Sequence, residues 1–195
     1  MVSHTSLRAL ITAMSLAAVL NASAGTLEID RAHSRIDVDV KATGDSFTAH
    51  LTNYEATIAL GDDNRITGAR LTFHFRDLDT DKDKRDKAMH TWQNTDAFPD
   101  GEFTLTSLEP AAGGGFTALG RLTFHGVTRE LQFPVSVQRS EAVYAVDGDA
   151  PLDTRDFGLP IIRMLGLLKV NPVVHVRFHL QGGATATMGA NHARR

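Results

Sequence analysis

Nine histidines stand in a chain without a single cysteine, so any metal or acid–base chemistry here has to be built from imidazole and carboxylate. His175 and His179 share one face of an alternating segment, but four residues of strand place them about 13 Å apart, too far to hold one ion at ~2 Å from each nitrogen. A metal centre would need His74, His90 or others to converge from elsewhere in the fold. His125-Gly126 invites a catalytic reading, yet it separates two alternating segments, the position of a hairpin turn, where its side chain is expected to orient the turn through a hydrogen bond. Arg155-Asp156-Phe157-Gly158 reads first as a turn in which the aspartate bonds backbone N–H groups and the glycine takes positive φ, and second as a polar rim around a ligand head group. The chain contains neither a Gly-x-Ser-x-Gly elbow nor a His-Glu-x-x-His metalloprotease motif. No enzyme activity is expected.

The elements that position these residues are announced by a period of two. Ile36, Val38 and Val40 alternate with Asp37, Asp39 and Lys41; Leu71, Phe73 and Phe75 alternate with Thr72, His74 and Arg76. Phe103 and Leu105, then Leu131, Phe133, Val135 and Val137, and finally Val174, Val176, Phe178 and Leu180 repeat the pattern. Each reads as a half-buried strand. Gly61-Asp62-Asp63-Asn64, Gly113-Gly114-Gly115, His125-Gly126 and Asp147-Gly148-Asp149 read as the turns between them. Short strands with such punctuation indicate an all-β, meandering antiparallel barrel or sandwich. Only Asp79 to Asp96 breaks the pattern: a charged run leads into a short helix whose Met89 and Trp92 lie three apart and share a face that can dock on the sheet.

Composition narrows the setting. Arg8 followed by the apolar stretch Ala9 to Leu20 and the small residues Ala22-Ser23-Ala24 reads as a signal peptide over residues 1–24, cleaved before Gly25 and directing export to the periplasm. That stretch is shorter than the ~20 residues needed to span a bilayer, and no transmembrane segment is expected after cleavage. What remains, about 170 residues, suits one domain over 25–182, with a small, polar and basic tail over 183–195 expected to be disordered. The formal charge of the whole chain is −3 with the two signs interspersed, which gives no footprint for nucleic acid. Absence of cysteine excludes disulfides, thiolate ligands and a lipidated cysteine anchor.

Several stretches resemble the YceI family of lipocalin-like, polyisoprenoid-binding periplasmic proteins. Ile29-Asp30 with His33-Ser34 opens the first strands in the same way. Arg85-Asp86, Met89 and Phe98-Pro99 are similar to the family's helical segment and its aromatic-Pro pair. Gly120-Arg121-Leu122-Thr123-Phe124-His125-Gly126-Val127-Thr128 is the most specific match, and Arg155-Asp156-Phe157-Gly158 resembles the late turn. The resemblance runs from about Leu27 to Gln181. It implies an extended antiparallel lipocalin-like β-barrel with one short helix and a hydrophobic channel that holds a polyprenyl chain or a quinone tail as ligand, with no other cofactor.

The inward apolar set consists of Val38, Val40, Leu71, Phe73, Phe75, Phe103, Leu105, Leu122, Phe124, Phe133, Val135, Val176 and Phe178. Composition alone favours a filled core for these side chains. Only the resemblance turns them into the lining of a ligand-binding channel, to which the predominance of Phe among the aromatics is suited. Two functions follow: a carrier for an apolar isoprenoid lipid, or a filled barrel serving as an interaction module that docks on a membrane redox or stress-response partner. A second copy of the chain, forming a homodimer, is a further candidate partner.

Overall fold

The computed structural model describes residues 25–164 and 168–186. The expected signal peptide and residues 187–195 of the expected tail lie outside the described residues. In chain order the strands are β1 (Gly25–Ile29), β2 (Arg35–Val40), β3 (Phe47–Leu51), β4 (Glu55–Leu60), β5 (Ile66–His74), β6 (Leu78–Asp79), β7 (Asp100–Pro110), β8 (Phe116–Phe124), β9 (Val127–Ser140), β10 (Val143–Asp153), β11 (Arg163–Met164), β12 (Leu168–Lys169) and β13 (Val173–Ala186), with the helix α1 (Asp83–Gln93) between β6 and β7.

Three pairs of short strands act as single long ones. β1 and β2 both pair with β13, β4 and β3 continue them on the other side, and β5 and β6 follow in the same way. The interruption between β1 and β2 is a short turn over Arg31–His33, capped by the Asp30 side chain, which accepts from the Ala32 N–H at 3.0 Å. Counted this way, eight antiparallel strands follow one another in sequence order, and the last closes on the first. This is an all-β, lipocalin-like closed barrel with a single short helix. Closure leaves the main strands without a free edge, which suits a fold that has no disulfide to hold it.

Two expectations need correcting. Asp147-Gly148-Asp149 is no turn: it lies inside β10, with Gly148 directly opposite Phe178 of β13. Asp-Gly favours a turn only where nothing larger claims the position, and here an aromatic ring from the neighbouring strand occupies the space a side chain would take. Nor does order end at Gly182. β13 runs on to Ala186 because β1 offers it a partner, pairing Gly25 with Ala186 and Leu27 with Ala184. The apolar period also shifts within β7, where a bulge between Leu105 and Ser107 turns Leu108, as well as Leu105, toward the interior.

The core has two parts. Leu27, Leu60, Tyr144 and Val146 pack one end of the barrel, where the Tyr144 hydroxyl donates to the Asn64 carbonyl at 2.9 Å. Toward the other end Ile36, Phe75, Phe124, Phe157 and Leu159 are buried, and Met89 and Trp92 of α1 pack against them, as their spacing predicts.

Candidate functional site: the barrel lumen

Between these two clusters the barrel encloses a cavity of about 610 Å³. That volume lies within the ~300–1,000 Å³ typical of small-molecule sites. All thirteen residues of the inward apolar set border it. Residues that periodicity could not supply complete the wall: Ala42 and Phe47 from the β2–β3 connection and its flank, Met89 and Trp92 from α1, and Ile161 and Ile162 after the late turn.

The lumen is open because large rings are laid against the wall. A Cβ built on Gly101 would stand 2.2 Å from the Phe73 ring, one on Gly120 2.4 Å from Phe103, and one on Gly148 2.3 Å from Phe178. In each case an inward-facing aromatic covers a glycine of the adjacent strand instead of projecting toward the barrel axis. The strand pairing makes this possible, since Phe73 stands opposite Gly101 and Phe178 opposite Gly148. Phe103 and Phe133 then meet at 5.7 Å between centroids, and Phe133 meets Phe178 edge-on at 6.1 Å, so the rings also brace one another along the wall.

Elsewhere the wall is completed by non-strand segments. The ladder between β9 and β10 spans only Val135–Ser140 against Val143–Gly148. Farther along, the turn Thr154–Phe157 contacts β9, with Phe157 and Leu159 1% and 3% exposed. Here the Arg155-Asp156-Phe157-Gly158 motif finds its role. Gly158 takes φ 78°, as expected for the turn, but the capping carboxylate is Asp153 and not Asp156: Asp153 accepts from the Arg155 N–H at 3.0 Å and from its guanidinium at 2.9 Å. A carboxylate just before the turn reaches the unpaired N–H groups of its first residues, whereas one inside the turn does not. His125 and Gly126 form the two-residue hairpin between β8 and β9, both at positive φ, and the His125 ring bonds the Phe157 carbonyl at 2.9 Å. The histidine thus ties one turn to the next.

Other described histidines turn to carboxylates. His175 pairs with Asp149 at 2.8 Å, His179 with Asp147 at 2.7 Å, His50 with Asp37 at 2.8 Å, and His74 with Asp100 at 2.5 Å. His90 instead packs edge-on against Phe75 beneath the helix. Among the described residues no three His, Asp or Glu side chains converge as metal ligands.

Polar groups reach the cavity at few places. Asp45, Arg85, Thr154, Arg163 and Asn171 all belong to the end where α1, the β2–β3 connection and residues 160–163 and 170–172 meet, an end we call the mouth. Trp92 fastens these pieces by donating its indole N–H to the Pro160 carbonyl at 2.8 Å, and Ala42 bridges to Val170. Arg70 is the exception, and its guanidinium is held on the outer surface by Glu102 at 2.8 Å.

A hollow antiparallel barrel of this kind, with the helix on its mouth, agrees with what comparison finds. Residues 27–182 match the YceI-like domain family. The chain belongs to that family. UPF0312 proteins of two Vibrio vulnificus strains are 27% identical to it over 188 residues, covering 89% of this chain and 93% of theirs. Among solved structures, Burkholderia cenocepacia BcnA superposes with a TM-score of 0.71 at 19% identity, covering 80% of this chain and 99% of that one. A domain of Saccharophagus degradans described as polyisoprenoid binding gives 0.58 at 19% identity, covering 83% and 99%, and the Campylobacter jejuni YceI protein gives 0.57 at 14%, covering 93% and 94%. At these identities the structures establish a shared fold. Among the described residues no helix is long and apolar enough to cross a membrane.

Proposed function

We propose that this protein is a non-catalytic carrier for an apolar isoprenoid lipid, a polyprenyl chain or the tail of a quinone, held in the barrel interior, and that it works in the periplasm after residues 1–24 are removed. The observation that carries this reading is the 610 Å³ lumen with its almost wholly apolar wall. A hydrocarbon chain gains roughly 25 cal/mol for each Å² removed from water, so burial in such a lumen needs few polar contacts. The family membership and the polyisoprenoid-binding description of the S. degradans domain support the same ligand class. The thirteen inward side chains would be the contact surface, with Ile161, Ile162, Met89 and Trp92 added at the mouth.

A filled barrel that docks on a redox or stress-response partner is the less favoured reading, because the Phe side chains that would have to fill it lie over glycines. The deciding experiment is native and denaturing mass spectrometry of the protein purified from its own compartment, with organic extraction of whatever is released. A stoichiometric isoprenoid is the expected result. A clean apo mass, with no uptake of added polyprenol or quinone, would overturn the carrier reading.

A further inference from the structure

All five lysines of the chain stand at one end of the barrel. Lys82, Lys84 and Lys87 belong to the start of α1, Lys41 follows β2, and Lys169 lies in β12. The backbone draws the last two together: the Lys41 carbonyl accepts the Asn171 N–H at 2.7 Å, and the Lys169 carbonyl accepts the Thr43 N–H at 3.0 Å. Asn171 borders the lumen, as do Arg85, Ala88, Met89 and Trp92 on one face of the helix. With 3.6 residues per turn, that spacing leaves Lys84 at the flank of the helix and Lys87 on the side turned away from the lumen. All five lysines are exposed.

Within the fold their charges find little compensation. Lys82 lies 4.0 Å from Asp45, a carboxylate it shares with Arg85. Among the described residues, the side chains of Lys41, Lys84, Lys87 and Lys169 make no ion pair or hydrogen bond, and Arg163 has no acidic partner. The acids beside them are engaged elsewhere, apart from Asp83: Asp86 accepts from the Thr80 N–H and hydroxyl, Asp79 from the Asp81 N–H, and Asp153 from Arg155. By contrast Arg35, Arg65, Arg70 and Arg177, away from the mouth, each lie against a carboxylate. The opposite end carries the other sign. Its turns over 61–64, 111–115 and 141–142 hold Asp62, Asp63 and Glu141 and no lysine or arginine. A barrel with a cationic mouth and an anionic far end is steered mouth-first toward a negatively charged surface.

Between the lysines the rim is apolar. Pro160 and Ala88 are exposed, Ile161, Ile162 and Val170 are half-buried, and all five border the lumen. Lysine suits such a border, because its aliphatic stem lies along apolar surface while the ammonium reaches a phosphate layer. An acidic protein would match the charge alone. A bilayer matches both, since it offers phosphate and hydrocarbon in adjacent layers.

We propose that the mouth docks on the surface of an anionic lipid bilayer, with Lys41, Lys84, Lys87 and Lys169 held at the lipid phosphates and the Pro160–Ile162 rim against the hydrocarbon boundary. This goes beyond the carrier reading, because it concerns what the protein settles on and not what the lumen holds.

The test mixes protein purified from its own compartment with vesicles of phosphatidylcholine alone, or of equal parts phosphatidylcholine and phosphatidylglycerol, and measures the bound fraction by flotation. Binding is expected only to the anionic vesicles, and it should fall as salt is raised from low to physiological strength. Each lysine near an anionic surface favours partitioning roughly fivefold, so Lys84→Gln with Lys87→Gln, and Lys41→Gln with Lys169→Gln, should each lower the partition coefficient by more than about tenfold at unchanged melting temperature. Arg65→Gln with Arg139→Gln makes the same change in net charge at the far end, and should leave partitioning within about twofold of the unaltered protein. Equal binding to the two kinds of vesicle, binding to neither, or equal losses from the mouth and far-end variants would overturn the docking inference. Lipid extracted from the purified protein decides the carrier reading separately, so either can fail without the other.

Discussion

The Phe178 ring lies over Gly148 of the neighbouring strand so closely that a Cβ on the glycine would come within 2.3 Å of it. Gly148→Ala therefore forces the ring off the wall, and we expect a loss of about 1–3 kcal/mol in urea unfolding, the usual cost of overpacking. Gly183→Ala makes the control, since nothing lies within 4 Å of the Cβ it would add. There the smaller entropy of the unfolded chain should make the change neutral or stabilising by up to about 1 kcal/mol. Equal destabilisation by both substitutions would refute the ring-over-glycine account.

Val176 borders the lumen partway along β13. In a filled core Val176→Phe would cost about 1–3 kcal/mol, but a vacant lumen can accept the added ring with a smaller loss. The expected outcome is a folded protein with a near-normal melting temperature and reduced uptake of a fluorescent isoprenoid. A large drop in stability would indicate that this part of the barrel is packed solid.

At the β8–β9 hairpin the predictions separate backbone from side chain. Gly126 has φ 71°, and a Cβ there would meet the Phe98 ring at 2.8 Å, so Gly126→Ala should cost more than about 1 kcal/mol. His125→Asn keeps a residue that tolerates positive φ but loses the bond to the Phe157 carbonyl, for an expected loss of about 0.5–1.5 kcal/mol. Thermal unfolding of both variants checks the order.

Acid should weaken the fold through a few identifiable carboxylates. The guanidinium of Arg155 holds Asp153 below its ordinary range, Arg70 does the same for Glu102, and the hydrogen bond from His33 does so for Asp30. A carboxyl group depressed in the folded state contributes stability in full above its unfolded value, about 4, and loses it as the pH falls through the folded value. Asp153→Asn retains the cap but removes the titration, so its urea midpoint should vary less with pH below about 4 than that of the unaltered protein. Parallel curves would show that Asp153 contributes nothing to acid sensitivity.

Much of this architecture could be read from residue order because a barrel writes its inner face at every second position. Val174 to Leu180 and Leu131 to Val137 needed no more than that, and all thirteen side chains assigned to the interior border the cavity. Whether they enclose a space was illegible, since a packed core and a lumen have the same alternation. The difference lies in cross-strand register, which sets Phe73 against Gly101 and Phe178 against Gly148, residues 28 and 30 positions apart in the chain. Asp147-Gly148-Asp149 misled for the same reason: its composition is that of a turn, and only the ring opposite explains the glycine. Arg85, Ile161, Ile162 and Arg163 were equally hidden as parts of the mouth, because helix and loop residues reach it by tertiary packing. The three-residue spacing of Met89 and Trp92 was the one local sign that something sits there.

The pairing of β13 with both β1 and β2 also fixes the order in which the molecule can acquire its interior. The wall becomes continuous only when Val173–Ala186 joins residues far earlier in the chain, such as Ala186 with Gly25, 161 positions away, so the contacts that complete the fold are among its most distant in sequence. Folds dominated by such contacts assemble slowly, because the loop entropy is lost before the contact is gained. Without that last pairing the sheet has no enclosed lumen. A ligand that meets the closed barrel has to enter through the mouth.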